Sequence, residues 1–354
     1  MIFFCGRCYV YGADVQYLEM SSQLSAINQE FLALLVSRGY LLKKDAESVL
    51  FGSSETDFET HLAEIGGFSQ QDLEHLRRTR AMKEPMIPGY VIQRLIGRGG
   101  TAEVFAAKRE RDFEPVALKI LLPRLAQDSV STAQFVKEGK LLANLKIPHI
   151  VKGYRVFRFL KTYILEMELA EGQTLLEWLD QGRSFDERES LDIVYEIATA
   201  LEGMRKVGVI HRDLKPGNIM LDRSGNVRLI DLGFAGEGLS GGHGEGTTMG
   251  TAAYLAPEQA RGESDLDSRS DIYSLGVTLY QLVLGELPFK ASDDQEMLRK
   301  QVLDSLKGSS VKGGGVSPHV HYFLEKMMAK DREFRFSSPS ELLDALEAHF
   351  DTLE

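Results

Sequence analysis

A short polar run near the middle of the chain contains three residue types that phosphoryl transfer requires. It reads HRDLKPGN over residues 211–218 and includes Asp213, Lys215 and Asn218. A carboxylate can orient an attacking hydroxyl, a lysine can neutralise charge on a migrating phosphate, and an amide oxygen can bind Mg²⁺. Asp231 in LIDLGFA follows a predicted pair of short strands and adds a metal-binding carboxylate. The pattern predicts a site that moves a phosphoryl group.

Two features upstream are suited to binding a nucleotide. GRGGTAEVF, residues 97–105, carries the first two glycines of G-x-G-x-x-G but has Ala102 at the third. A dinucleotide-binding turn opens a helix at once, whereas EVFAAKRE continues as a strand, so we predict a lid over phosphates instead. Lys119 lies in an apolar strand, VALK, where a buried lysine needs an anion. Glu138 on the following helix is the candidate partner.

Hydrophobic periodicity predicts the elements that position these residues. Apolar and polar residues alternate in YVIQRLIG, EVFAAKRE and PVALKILL, which is typical of successive antiparallel strands. TAQFVKEGKLLANL then shows helical spacing, and the chain is mostly helical in pattern after TYILEMELAEG. We therefore expect a strand-rich part followed by a larger helical part over residues 90–350.

An internal repeat precedes this region. LVSRGYLLKKDAESVL from Leu35 and LAEIGGFSQQDLEHLR from Leu62 align at an offset of 27 residues, which pairs Gly39 with Gly66 as the predicted helix stops. Each copy predicts a helix, a glycine stop, a turn and a second helix, with Ser69 as a candidate N-cap. We predict an irregular segment over 1–20, a helical module for docking or dimerisation over 21–82, and a linker over 83–89. The predicted module core comprises Leu34, Leu35, Leu41, Leu62, Phe68, Leu73 and Leu76.

Composition restricts the partners of the chain. The net charge is −11, with 41 basic against 52 acidic residues, which disfavours nucleic acid and anionic membranes. The two cysteines, Cys5 and Cys8, cannot build a disulfide framework, and a reducing cytoplasm is the expected location. No stretch approaches the apolar length of a membrane helix, so we expect no membrane span in this chain.

Together the motifs resemble those of eukaryotic-like (Hanks-type) serine/threonine protein kinases, a family also common in bacteria. They occur in the order of that family from Tyr90 to about Phe350. The resemblance implies an α+β, bilobal kinase fold with a strand-rich N-lobe and a helical C-lobe, preceded by the small all-α helical-hairpin module. It further implies ATP and Mg²⁺ (or Mn²⁺) as cofactors and protein serine or threonine hydroxyls as substrates. Lys215 and Thr251 resemble the residues found at these positions in serine/threonine kinases rather than those in tyrosine kinases.

The resemblance also implies a role for each motif residue. Asp213 is expected to accept or orient the substrate hydroxyl, and Lys215 to contact the γ-phosphate. Lys119, paired with Glu138, is expected to hold the α and β phosphates. The expected metal ligands are Asn218 and Asp231. The expected ATP-binding residues are Ile96, Gly97, Gly99, Gly100, Val104, Ala117, Lys119, Met167 (the gatekeeper), Glu168, Ala170 and Met220.

Further matches imply structural and regulatory roles. Glu258 of APE resembles an ion-pair partner of Arg335, and Asp271 resembles the buried carboxylate that supports the catalytic loop. Six glycines between residues 236 and 246 give the activation segment high backbone freedom. Arg212 resembles the arginine that pairs with an activation-loop phosphate, and we predict autophosphorylation at Thr247 or Thr248. The expected regulatory residues are Arg212, Thr247, Thr248 and Thr251.

Two positions depart from the family pattern. Ala102 replaces the third loop glycine and Leu232 replaces the phenylalanine after Asp231, but neither change removes a charged or metal-binding group.

Two other functions stay open. A catalytically idle kinase fold that recruits partners through the helical repeats is the main alternative. A small-molecule kinase is the other, although the APE element and the long activation segment favour protein substrates.

Overall fold

The structure is a computed structural model that describes residues 24–38, 40–80, 87–232, 251–306 and 315–352. The chain divides into two compact units. The first comprises Met1–Pro88, Leu122–Asp128 and Arg158–Thr162, and the second comprises Gly89–Leu121, Ser129–Phe157 and Tyr163–Glu354. The predicted irregular segment 1–20 and the activation-loop glycines lie outside the described residues.

Helices make up the described N-terminal part of the first unit: α1 (Ala26–Ser37), α2 (Lys43–Gly52), α3 (Phe58–Gly66) and α4 (Gln70–Arg78). Ser69 is the N-cap of α4, as predicted, because its hydroxyl accepts from the Asp72 N–H and the Asp72 carboxylate accepts from the Ser69 N–H. The left-handed residue that ends α3 is Gly67, at a φ of 60°, and not Gly66. The predicted core residues are buried except Leu34, which packs half-buried against the same cluster.

A turn from the sheet region completes this core. Residues 158–162 belong to the first unit, and Leu160 joins the buried cluster of the helices. The Phe159 ring packs edge-on against His75 with 5.1 Å between ring centroids. The Nζ atom of Lys161 lies 4.0 Å from the centroid of the Phe68 ring. The helical repeats therefore bury their apolar face with help from a segment distant in sequence.

Leu160→Ala is expected to lower the free energy of unfolding of the first unit by about 2 kcal/mol or more, because it leaves a cavity in the shared core. Hydrogen exchange of the amides in α1 to α4 measures the effect. Phe51→Ala is the control, since Phe51 is 61% exposed on α2 and should change stability by less than about 0.5 kcal/mol. Unchanged exchange in Leu160→Ala would contradict the prediction.

The second unit begins with a five-stranded sheet in the order β1-β2-β3-β5-β4. Its strands are β1 (Tyr90–Arg98), β2 (Ala102–Arg109), β3 (Pro115–Leu121), β4 (Gly153–Phe159) and β5 (Thr162–Glu168). β1, β2 and β3 are successive antiparallel neighbours, as predicted. Helix α5 (Ser129–Asn144) connects β3 to β4, and it buries Phe135 and Leu142.

The rest of the second unit is mainly helical. A small sheet of β6 (Gln173–Thr174), β7 (Ile219–Leu221) and β8 (Val227–Leu229) interrupts it. The helices are α6 (Leu175–Asp180), α7 (Glu187–Lys206), α8 (Pro257–Ala260), α9 (Ser268–Leu284), α10 (Asp294–Leu303), α11 (Pro318–Met327) and α12 (Pro339–Asp351). α9 is buried along most of its length and packs against α7, α11 and α12. The predicted fold class, a strand-rich part and a helical part preceded by helices, is confirmed.

None of the helices in the described ranges is long and apolar enough to cross a membrane.

Candidate active site

An ion-pair cluster joins the sheet, α5 and the end of the β7–β8 hairpin. Lys119 on β3 places its Nζ 2.7 Å from Oε1 of Glu138 and 2.8 Å from Oδ1 of Asp231. Lys119 is buried, so its ammonium depends on these carboxylates for stabilisation. The pairing of Lys119 with Glu138 that the sequence predicts is present, and Asp231 extends it.

Burial and neighbouring charges shift the pKa values of these three groups in different directions. Burial disfavours the ammonium of Lys119, yet the nearby Asp231 and Glu138 carboxylates raise its pKa above the ordinary value. Burial also raises the pKa of Glu138, and the attraction of Lys119 offsets this only in part. For Asp231 burial is the largest effect and would raise the pKa, but the charge of Lys119 and the hydrogen bonds of Glu138 and Lys119 together hold it below its ordinary value. Asp231 is thus the more acidic carboxylate of the cluster.

The catalytic-loop candidates are held together by direct contacts. The Nζ of Lys215 lies 2.9 Å from Oδ2 of Asp213 and donates to Oγ1 of Thr251 at 2.8 Å. The Nδ2 of Asn218 donates to the Asp213 carbonyl at 2.8 Å and to its Oδ2 at 3.1 Å. Asp213 therefore presents a carboxylate whose direction is set by a cation and an amide.

The small hairpin places both candidate metal ligands at one end. Asn218 directly precedes β7, Asp231 follows β8, and the Ile230 N–H donates to the Asn218 carbonyl at 3.0 Å. Because Nδ2 of Asn218 already donates to Asp213, its Oδ1 is the side-chain atom left for a metal. Mg²⁺ sites shared with nucleotide phosphates need only one or two protein oxygens, which Oδ1 of Asn218 and the Asp231 carboxylate supply. These two residues fit a divalent metal.

Asp271 on α9 supports the loop that carries Asp213. Its carboxylate accepts from the N–H groups of His211 at 2.8 Å and Arg212 at 2.9 Å. Burial raises the pKa of Asp271, and these contacts with His211 and Arg212 oppose that rise. The backbone at Arg212 has a φ of 69°, a conformation that a residue with a side chain rarely adopts. The residue before Asp213 is therefore held in a strained conformation by its surroundings.

The leucine at position 232 occupies a buried site. Leu232 is buried, as are Leu142 on α5 and His211 in the loop. The Nε2 of His211 lies 2.5 Å from the backbone carbonyl of Asp231 and so fixes the chain just before Leu232. The departure from phenylalanine is accommodated as an apolar side chain in the interior.

The glycine loop between β1 and β2 leaves space that the fold itself does not use. A Cβ at Gly97 would lie 3.7 Å from Val104, one at Gly99 would lie 3.5 Å from the Ala102 carbonyl, and one at Gly100 would meet nothing within 4 Å. None of these three glycines has a positive φ. Their lack of side chains is therefore suited to an external group, such as phosphate, that approaches the backbone closely. Ala102 is buried at the start of β2 and keeps its Cβ within the sheet.

The residues expected to meet adenine lie on strands of the five-stranded sheet, except Ala170 and Met220. Ala117 on β3 pairs with Met167 on β5, and both are buried. The N–H of Glu168 donates to the Lys152 carbonyl at 2.8 Å, so this N–H is already occupied. Of the other expected contacts, Ile96 lies on β1, Val104 on β2, Met220 on β7, and Ala170 after β5.

The predicted APE ion pair is present and buried. The guanidinium of Arg335 meets the Glu258 carboxylate at 2.7 and 2.8 Å, and Ser270 donates to the same carboxylate at 2.7 Å. Burial opposes ionisation of Glu258, but Arg335 and Ser270 hold its pKa below the ordinary value. This pair joins the segment after the activation loop to the C-terminal helices. Thr251 is described, whereas Thr247 and Thr248 lie outside the described residues.

Comparison with known proteins agrees with this geometry. Residues 90–347 match the family model described as the protein kinase domain. The chain belongs to the protein kinase family. Its curated relatives include a probable serine/threonine-protein kinase of Streptomyces coelicolor, 36% identical over 76% of this chain and 41% of the relative. PknB of Bifidobacterium longum is 35% identical over 71% of this chain and 38% of its own length, and PknD of Mycobacterium tuberculosis is 32% identical over 73% and 39%.

The chain thus spans about two fifths of the length of these kinases. Membership of the protein kinase family implies the use of ATP with a divalent metal in general. The bacterial serine/threonine kinases among its relatives agree with the family resemblance of its motifs.

Sequence reasoning missed three glutamines of the kinase domain that hold the segment from Thr251 to Ala256. Gln301 donates to the Ala253 carbonyl, Gln281 accepts from the Tyr254 hydroxyl, and Gln259 contacts the backbone at Ala256 and Arg212. Glutamine in a helix carries no periodic or motif signal beyond ordinary helix propensity. Only the position of Gln259 directly after APE could have drawn attention to one of them.

Proposed function

We propose that the chain is a serine/threonine protein kinase that transfers the γ-phosphate of Mg-ATP to protein hydroxyls. The observation that carries the proposal is the contact of Lys215 with both Asp213 and Thr251. It gathers a base, a cation and Thr251 at one point, and Thr251 begins the segment over residues 251–256 that we expect to face the substrate (the substrate-facing segment). The family match and the named kinases among the relatives support the same activity.

Each residue has a defined task in this reaction. The Asp213 carboxylate orients the serine or threonine hydroxyl and receives its proton as the oxygen bonds to the γ-phosphorus. The bond from that phosphorus to the bridging oxygen breaks, and ADP leaves. Lys215 offsets charge on the migrating phosphoryl group, and Lys119 holds the other phosphates. Asn218 and Asp231 would hold Mg²⁺, which supplies charge neutralisation on the phosphates when bound.

The direct test measures ³²P transfer from Mg-ATP to matched serine, threonine and tyrosine peptides and to the chain itself. Transfer to serine or threonine but not to tyrosine is the expected result. Repeating the assay with Mn²⁺ or after chelation identifies the metal. Retained ATP binding with no transfer to any acceptor would contradict the proposal and favour an idle scaffold.

Regulation through the activation segment belongs to the same proposal. Arg212 stands beside Asp213 in a loop whose backbone is held by Asp271, so a charge that pairs with Arg212 acts close to the catalytic carboxylate. We expect autophosphorylation at Thr247 or Thr248. Mass spectrometry after incubation with Mg-ATP tests it, and an unmodified segment in an active preparation would contradict it.

The proposal also covers the N-terminal helical module and the cellular compartment. The N-terminal helical module serves docking or dimerisation, which light scattering of the chain over a concentration series tests. Two cysteines in the whole sequence favour a reducing compartment such as the cytoplasm.

A further inference from the structure

The peptide group on each side of Arg212 is anchored by a different helix. The Arg212 N–H donates to Oδ1 of Asp271 on α9, and the Arg212 carbonyl accepts from Nε2 of Gln259 on α8 at 2.8 Å. The left-handed φ of 69° at Arg212 persists only where surrounding contacts stabilise it. Asp271 holds the N–H side, and Gln259 holds the carbonyl side, which is the peptide bond to Asp213.

The same glutamine side chain also holds the substrate-facing segment. Its Oε1 accepts from the Ala256 N–H at 3.1 Å, at the start of α8. One amide therefore donates to the catalytic loop and accepts from the segment that begins at Thr251. Only a group with a donor and an acceptor at this separation makes both bonds, because a carboxylate lacks the proton and an apolar side chain lacks both functions.

We propose that Gln259 is a positioning residue that couples the direction of the Asp213 carboxylate to the placement of the substrate-facing segment. The inference rests on the proposed kinase function. Without the bond to its carbonyl, the Arg212–Asp213 peptide keeps only the 3.2 Å bond from the Asp213 N–H to Nδ1 of His211. The Asp213 carboxylate is then held less firmly relative to Lys215. The side-chain hydrogen bonds of Gln259 go to Arg212 and Ala256, neither of which is expected to bind ATP, so the loss falls on the transfer step rather than on nucleotide affinity.

Three variants of the full chain test this role. Gln259→Met removes both bonds at similar volume, and Gln259→Glu keeps the acceptor for Ala256 but loses the donor to Arg212. Leu346→Ala is the stability control, because Leu346 is buried on α12, outside both the catalytic loop and the segment from Thr251 to Ala256. For each variant, kcat and KM for a serine peptide, KM for ATP, and Tm are measured.

The expected pattern separates positioning from stability. Gln259→Met is expected to lower kcat by about 10-fold or more, with KM for ATP within about 2-fold of native, because a small misplacement of a catalytic group reduces the rate of the chemical step. Leu346→Ala is expected to lower Tm, because it leaves a cavity, while kcat stays within about 2-fold of native. A purely structural role for Gln259 would lower Tm in the same way and leave kcat unchanged.

The glutamate variant adds a pH readout. Its carboxylate opposes the Arg212 carbonyl when ionised and donates to it when protonated, so its rate relative to native is expected to rise as pH falls from about 7 towards about 5, where a glutamate carboxyl begins to protonate. If Gln259→Met does not fold, this variant carries the test. A kcat close to native in the folded variants overturns the inference while the kinase function stands. Absence of transfer by the native chain removes both.

Discussion

Asp213→Asn lowers the rate of phosphoryl transfer by about 100-fold or more in the expected result, while ATP binding is retained. The amide keeps the size of the carboxylate but cannot accept the proton of the attacking hydroxyl, and general-base contributions are of this magnitude. It also removes the charge that Lys215 pairs with at 2.9 Å. Single-turnover transfer to a serine peptide, together with a titration of nucleotide binding, measures both properties.

Asp192→Asn is the matched control for this change. Asp192 lies on α7, is 48% exposed in its side chain and pairs with Arg188 at the surface. The control is expected to transfer phosphate at the native rate. If Asp213→Asn and Asp192→Asn were equally active, Asp213 would not be the residue that receives the proton, and the proposed mechanism would fail.

Arg335→Met is expected to lower the free energy of unfolding by about 3–5 kcal/mol, the largest stability effect predicted for this chain. The change leaves the Glu258 carboxylate buried without its cation, and breaking a buried pair from one side carries this cost. Urea unfolding followed by circular dichroism measures it. The double variant Glu258→Gln with Arg335→Met is expected to recover part of the loss, because the neutral amide no longer needs a cation.

Lys290→Met provides the comparison for an exposed pair. Lys290 meets Glu286 at 2.6 Å with 77% and 53% of the side chains exposed, so its loss should lower the free energy of unfolding far less than the loss of Arg335. Folding lowers the pKa of Glu258, so the Arg335 pair stabilises the native chain at neutral pH and loses this effect as pH falls through the carboxyl range. The assignment would be contradicted if Arg335→Met and Lys290→Met lowered the free energy of unfolding equally. It would also be contradicted if the stability of Arg335→Met fell with decreasing pH as steeply as that of the native chain.

Much of the site could be anticipated from residues that are adjacent in sequence. Asp213, Lys215 and Asn218 lie in one short loop, so their types and spacing already indicate phosphoryl transfer. Lys119 and Glu138 needed one further step, because the alternation of β3 and the spacing of α5 had to be read before a pair could be predicted. The strands over residues 90–121 followed from period-two alternation because one face of each is buried.

Contacts between distant segments could not be anticipated in the same way. Leu160 lies in the core of the helical repeats although it follows them by more than eighty residues. A single apolar residue in a turn gives no periodic signal that it will be buried. The glycine that ends α3 was assigned one residue early, because two successive glycines both fit a helix stop and only the backbone shows which is left-handed.

The sequence by itself determined the family, the α+β organisation and the residue types of the site, because short-range order carries motif chemistry and hydrophobic period. The tertiary structure decided which charges meet and which neutral groups direct them. The second bond of Lys119 to Asp231 and the two bonds of Gln259 join segments far apart in sequence. Such contacts depend on the direction and separation of side chains after packing, and neither quantity is encoded in any local pattern.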